Sequence, residues 1–261
     1  MREILDLDRF PLDRPNSDPW NALVDTCRAD LAQNGMFNLR GLMHETVAAD
    51  IATTLAPQFE TESFRHERAH NIYFADVPDL DADHPALACF NTSNNTLCAD
   101  QIIGSPLLKL YEWPEFAVFM AATMGLAELH AMPDPLARLN VMSYREGQAL
   151  NCHFDRSQFT TTLLLQAPER GGAFEYRTAL RSDTDPNYDG VATLLQGRDP
   201  ELRHLTLTPG TLNVFRGKNT AHRVTPVKGD TARIIAVLSY YEQPGVMFSD
   251  EERIGFFGRA S

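Results

Sequence analysis

Apolar residues recur at helical spacing through the first half of the chain and alternate with polar ones through the second, the change falling near residue 137. Over 18–35, Trp20, Leu23, Val24, Cys27 and Leu31 fall on one helical face, with Asp18 as the expected N-cap, Pro19 at the first helical position and Gly35 as the stop. A short strand is expected over 36–42 and a second helix over 44–59. Residues 105–125 carry further helix, interrupted by Pro114. Between them, 60–104 is rich in Asn, Asp, Thr and His, with a strand-like HNIYF at 70–74. So long a polar segment in a compact protein reads as a functional loop or lid.

Beyond residue 137 the pattern is strand, turn, strand. Strands are expected over 138–144, 159–166, 172–178, 202–208, 211–217, 221–227 and 233–242, parted by Gly- or Pro-bearing turns. That rhythm predicts a β-sandwich or barrel-like jelly roll. An insert over 179–201 breaks it and is expected to hold a short helix. The fold class is therefore α+β, a jelly-roll core with an N-terminal helical layer. It reads as a single domain over 1–261: helical support and lid to 137, core over 138–242 and a C-terminal extension over 243–261.

Composition narrows the function. With 23 Lys and Arg against 35 Asp and Glu, the formal charge is −12, which argues against binding phosphate backbones without regard to sequence. Cys27, Cys89, Cys98 and Cys152 form no C-x-x-C pair and read as reduced thiols. The N-terminus has no apolar core of a secretory signal, and no apolar run is long enough for a membrane span. A soluble, cytoplasmic protein is expected, with no nucleic-acid or membrane partner; its oligomeric state stays open.

Chemistry concentrates in a few positions. His153 and Asp155 stand two apart, so an extended chain turns both to one side. His222 heads another strand 69 residues later (222 − 153). Two imidazoles and a carboxylate on one face of an octahedral metal make a facial triad, with three positions left for a chelating co-substrate and dioxygen. Arg233 follows a turn at the head of an apolar strand, where a guanidinium can grip a carboxylate with two parallel hydrogen bonds. The alternative there is a strand-end ion pair with Asp230 or Asp250.

In order, HFD (153–155), PGTLNVF (209–215), HRVTPV (222–227) and GDTAR (229–233) resemble the pattern of the Fe(II)/2-oxoglutarate-dependent oxygenases of the double-stranded β-helix fold. YREGQALNCHFD (144–155) is similar to that family's approach to its first ligand. The resemblance implies that His153, Asp155 and His222 ligate Fe(II), and that Arg233 binds the far carboxylate of 2-oxoglutarate. Tyr144 and Asn140, sharing a strand face, and Thr162, with Gln166 beside it, are implied co-substrate contacts. O2 would be consumed, with succinate and CO2 released. Halogenating members carry Gly or Ala in place of the aspartate, so Asp155 implies hydroxylation.

HNIYF, SPLLKLYEWPEF and FTTTLLLQAP also resemble the carrier-independent hydroxylases and halogenases of free amino acids. That implies a small-molecule substrate, a free amino acid. One departure stands out: lysine-acting relatives are expected to place an acid after the ligand motif, whereas Arg156 follows here, directed at a substrate carboxylate or paired with Glu146 or another acid. Arg65, Arg68, His70 and Asn71 are candidates for a carboxylate grip, and Tyr241, Phe256 and Phe257 for a cover. The competing readings are an oxygenase of peptides or natural-product intermediates, a jelly-roll binding module, and a cupin-like metalloenzyme without 2-oxoglutarate.

Overall fold

The computed structural model describes residues 1–78 and 80–261; Asp79, inside the segment read as a lid, lies outside the described residues. The Asp18–Asn34 helix buries Trp20, Val24, Cys27 and Leu31 as the spacing requires, and Gly35 closes it at φ 72°. Ser17, not Asp18, takes the N-cap position. The second helix, Glu45–Thr61, presents Ala48, Ile51, Ala52, Leu55 and Phe59 inward. Pro114 begins a helix rather than interrupting one: Pro106–Tyr111 ends before it and Pro114–Met124 starts at it, because the first turn needs no N–H from that residue.

A seven-stranded antiparallel sheet runs, edge to edge, through Met36–Leu39, Leu212–Phe215, Thr160–Gln166, Arg233–Leu238, Leu139–Tyr144, Phe90–Cys98 and Phe64–His70. A four-stranded sheet of Arg203–Leu205, Phe174–Arg177, Ala221–Val224 and Leu150–His153 packs against it. The alternation of each strand decides what faces where. Leu139, Val141, Leu163, Leu165, Leu212, Val214, Ile234, Ala236 and Leu238 turn outward onto the helices and form the main core with them. The opposite faces close a roll in which Met36 and Phe215 of the large sheet meet Phe174, Tyr176 and Val224 of the small one.

Two expectations need correction. Residues 60–104 are not a free polar loop: Phe64–His70 and Phe90–Cys98 pair in register and extend the large sheet, and only His70 of the HNIYF stretch is in a strand. The alternation is present but inverted in polarity, since Thr92, Asn94 and Thr96 are the buried positions. The insert over 179–201 does hold a helix, Tyr188–Leu195. It packs with Ile72, Phe154, Leu180 and Ala221 into a separate small core beside the small sheet. No helix among the described residues is long and apolar enough to cross a membrane.

Candidate metal centre and co-substrate pocket

His153 ends one strand of the small sheet, and His222 stands opposite it in the antiparallel register. Asp155 follows His153 where the chain leaves the sheet, its N–H held by the Gly217 carbonyl at 3.1 Å. The three side chains converge. His153 Nε2 lies 3.3 Å from Asp155 Oδ1 and His222 Nε2 lies 3.4 Å from Asp155 Oδ2. Donors in adjacent positions about 2.1 Å from one metal would sit roughly 3 Å apart, so the spacing suits a shared ion. Among the described residues this is the group of three such side chains able to hold one.

The surrounding hydrogen bonds fix the useful tautomer. His153 Nδ1 donates to the Asn151 carbonyl at 2.8 Å and His222 Nδ1 to the Thr220 carbonyl at 2.9 Å. Both Nε2 lone pairs are thereby left for a metal. A longer chain of bonds steadies the first imidazole: the Asn151 N–H donates to Thr92 Oγ1 at 3.0 Å, and that hydroxyl meets His70 Nε2 at 2.8 Å. Burial pushes the His153 imidazole below its ordinary value, and His222 beside it acts in the same direction. Burial alone would raise Asp155, but the two imidazoles outweigh it and hold the carboxyl well below the usual range. Burial likewise opposes the charged form of His222, yet Asp155 draws its value upward.

Two residues not anticipated from sequence hold the carboxylate. The Thr160 hydroxyl donates to Asp155 Oδ2, and Gly217 lies so close that a Cβ there would overlap both Asp155 Oδ2 and Thr160 Oγ1. Gly217→Ala is therefore expected to push the carboxylate out of line. Metal affinity should fall roughly 10- to 100-fold, as for other changes to the groups supporting a ligand, with the far-ultraviolet circular dichroism unchanged. Wild-type affinity in a metal titration would refute this.

Arg233 faces the roll interior opposite Tyr144 and is only 2% exposed. Its Nε donates to the Gly172 carbonyl at 3.1 Å, and Tyr144 lies with its ring centre 6.0 Å from the guanidinium carbon. Nη1 is buried without a hydrogen-bond partner, and no carboxylate pairs with this arginine among the described residues. The alternatives of Asp230 and Asp250 are therefore excluded; Asp250 pairs with Arg253. Burial pushes the Arg233 guanidinium down to about 10, so it remains a cation at neutral pH. An unpaired buried charge costs several kcal/mol, and a dicarboxylate reaching in from the metal would remove that cost. The donor set and this orphaned donor both fit Fe(II) with 2-oxoglutarate.

The other candidates divide. Tyr144 is buried, and its hydroxyl finds only Met142 Sδ at 3.5 Å. Asn140 and Thr162 flank Val237 in one cross-strand row on the interior face. Asn140 donates to the Leu136 carbonyl at 2.8 Å, Thr162 Oγ1 lies 3.5 Å from the Asn213 carbonyl, and Gln166 is tied to the Ala232 carbonyl at 2.8 Å. Of the proposed carboxylate grip, Arg65 pairs with Glu67, His70 is bonded to Asn71 and Thr92, and the Asn71 side chain closes its own turn, while Arg68 lies over the Phe74 ring at 5.1 Å. Arg156, with a side chain 73% exposed, pairs with Glu252 of the Asp250–Phe257 helix and not with Glu146, which binds the Gly229 N–H. Phe257 is buried against Cys98, Met132 and Leu136, while Phe256 stacks on His66 at 6.2 Å.

Residues 91–247, more than half of the chain, match the family described as Halogenase D. The chain belongs to the Halogenase D family. No curated protein matches it. Among solved structures, this Halogenase D member is similar to a 2OG-Fe(II) oxygenase family protein from Burkholderia pseudomallei, with 14% identity, a TM-score of 0.52, and 85% of this chain and 92% of that one covered. A prolyl hydroxylase from Trichoplax adhaerens shares 10% identity over 85% of this chain and 90% of its own, at a TM-score of 0.53. The epimerase SnoN, solved with Fe3+, alpha ketoglutarate and nogalamycin RO, shares 13% identity over 84% of each chain, at a TM-score of 0.55. These likenesses establish the fold. The family match together with the site's own geometry makes this chain an Fe(II)/2-oxoglutarate oxygenase.

Proposed function

We propose that the chain is an Fe(II)- and 2-oxoglutarate-dependent hydroxylase of an unactivated C–H bond in a free amino acid, acting as a single unit over 1–261. His153, Asp155 and His222 hold the metal, and Arg233 anchors the far carboxylate of 2-oxoglutarate. Tyr144, Asn140 and Thr162 line the co-substrate's side of the roll. Held by these three side chains, Fe(II) would supply the redox chemistry that links oxidative decarboxylation of 2-oxoglutarate by O2, to succinate and CO2, with oxidation of the substrate. The protein fixes donor geometry, orients the dicarboxylate and keeps the cavity dry.

The observation that carries hydroxylation is Asp155. Its carboxylate occupies the position that halogenating relatives leave without one, and Thr160 and Gly217 are shaped around it. The family's name describes the family; in this chain the third protein donor is present. The amino-acid substrate rests on the resemblance in HNIYF, SPLLKLYEWPEF and FTTTLLLQAP. Its side chain is not constrained by Arg156, which is engaged with Glu252.

An anaerobic titration of 2-oxoglutarate into the Fe(II) protein, followed by its charge-transfer absorption, is expected to saturate at one equivalent. A turnover screen of the free amino acids, read by mass spectrometry, is then expected to show a gain of one oxygen with matching succinate. A gain of chlorine instead would overturn hydroxylation. Silence across the whole set would favour a peptide or a natural-product intermediate.

A further inference from the structure

The insert between the Phe174–Arg177 strand and the Tyr188–Leu195 helix brings one cation to the rim of the metal centre. Arg181 sits over Phe154, its guanidinium carbon 4.0 Å from the ring centre. Its Nε bonds to the Lys218 carbonyl, next to Gly217, whose carbonyl holds the Asp155 N–H and whose backbone lies against the Asp155 carboxylate, so the guanidinium stands beside the turn that supports the third ligand. It is also within electrostatic reach of Asp155. Three bonds hold it there: Arg181 Nε donates to the Lys218 carbonyl at 2.8 Å, the Leu180 N–H to the Asn219 carbonyl at 3.0 Å, and Asn187 Nδ2 to the Leu180 carbonyl at 2.6 Å. Tyr73 packs against Phe154 with ring centres 5.8 Å apart, and Tyr188 meets Tyr73 edge-on at 5.6 Å, extending the aromatic cluster.

What this arginine lacks is an anion. Its Nε is satisfied, yet among the described residues no carboxylate lies within ion-pair distance of it. The nearby Asp183 is taken by Lys218 at 2.8 Å. Asp155 belongs to the metal, whose charge cancels it once bound. Arg233, set against Tyr144 and Gly172, serves the co-substrate. A half-buried, positioned guanidinium with free Nη donors beside a metal centre is built to receive a planar, two-oxygen anion.

We propose that Arg181 is the specificity-determining cation of this enzyme, and that its Nη atoms bind a carboxylate of the substrate so that the rest of the molecule extends over the metal. This rests on the amino-acid reading above. It predicts that the free acid is recognised and that the same compound with its carboxylate turned into an amide is not.

The test uses the full-length protein loaded anaerobically with Ni(II) and 2-oxoglutarate, with the free amino acids and their α-amides as probes and thermal stabilisation and calorimetry as readouts. Wild type is expected to bind at least one acid and to discriminate against its amide by about 30-fold or more, the scale set by an unpaired, desolvated charge. Arg181→Gln should lose that discrimination and Arg181→Lys recover part of it. In aerobic assays the change should fall on KM more than on kcat. A merely structural arginine would alter melting temperature without touching the acid-over-amide preference. If Arg181→Gln binds the acid as wild type does, the assignment of Arg181 is overturned and the amino-acid substrate stands. If wild type binds no amino acid, the substrate reading falls and the assignment with it.

Discussion

Asp155→Ala is expected to lower product formation by at least about a thousandfold, equivalent to about 4 kcal/mol of activation free energy, while leaving the fold intact. The carboxylate is the only protein oxygen in the cluster, and it bridges the space between the two Nε2 atoms. Removing it leaves two imidazoles, with ring centres 4.1 Å apart, to hold the metal alone. The effect separates into a binding part and a chemical part. At a metal concentration a hundred times Kd, wild type should gain about 2.7 kcal/mol of stability, roughly 5–10 °C in melting temperature for a chain of this length. The variant should lose most of that gain, and its apoprotein should melt below the wild-type apoprotein, because the two buried imidazoles and the Thr160 hydroxyl lose their carboxylate partner. Full hydroxylation by Asp155→Ala would take the residue out of the metal's coordination.

The same residues show why some of this architecture could be read from sequence and some could not. The large-sheet strands after residue 137 are visible because each buries aliphatic residues outward against the helices, Leu163 and Leu165 or Ile234 and Ala236, which leaves an apolar alternation in the sequence. Phe90–Cys98 obeys the same geometry, but the face it buries turns into the roll and carries Thr92, Asn94 and Thr96. Hydrophobic alternation therefore vanishes, although the polar residues alternate in step. His153 and His222 could be paired across 69 residues (222 − 153) only because a motif supplied the order; periodicity alone leaves each an isolated histidine. Arg181 carries no local signal, since its meaning depends on Phe154, 27 residues away (181 − 154). The supposed grip at 65–71 is not assembled for the converse reason: Arg65, His70 and Asn71 are engaged in short-range bonds that composition cannot reveal, while Arg68 lies over the Phe74 ring.

Arg233→Met should act in opposite directions on two quantities. Affinity for 2-oxoglutarate should fall by a factor of about 30 to several thousand, corresponding to about 2–5 kcal/mol for one partner of a buried charge pair. Stability without 2-oxoglutarate should stay the same or rise. In the unliganded protein the guanidinium is buried with Nη1 unpaired and a carbonyl, not an anion, as its nearest partner, and burial drives it down to about 10 without discharging it at neutral pH. A thioether of similar reach removes that cost and fills the same volume against Tyr144 and Gly172. Arg233→Lys keeps the charge but loses the two-pronged geometry, so its affinity should fall between the other two. An arginine serving only to hold the Arg233–Leu238 strand would give the reverse result: a less stable apoprotein whose affinity for 2-oxoglutarate matches wild type. Opposed signs in the two measurements would mark a side chain kept in the interior for its ligand, at the expense of the empty fold.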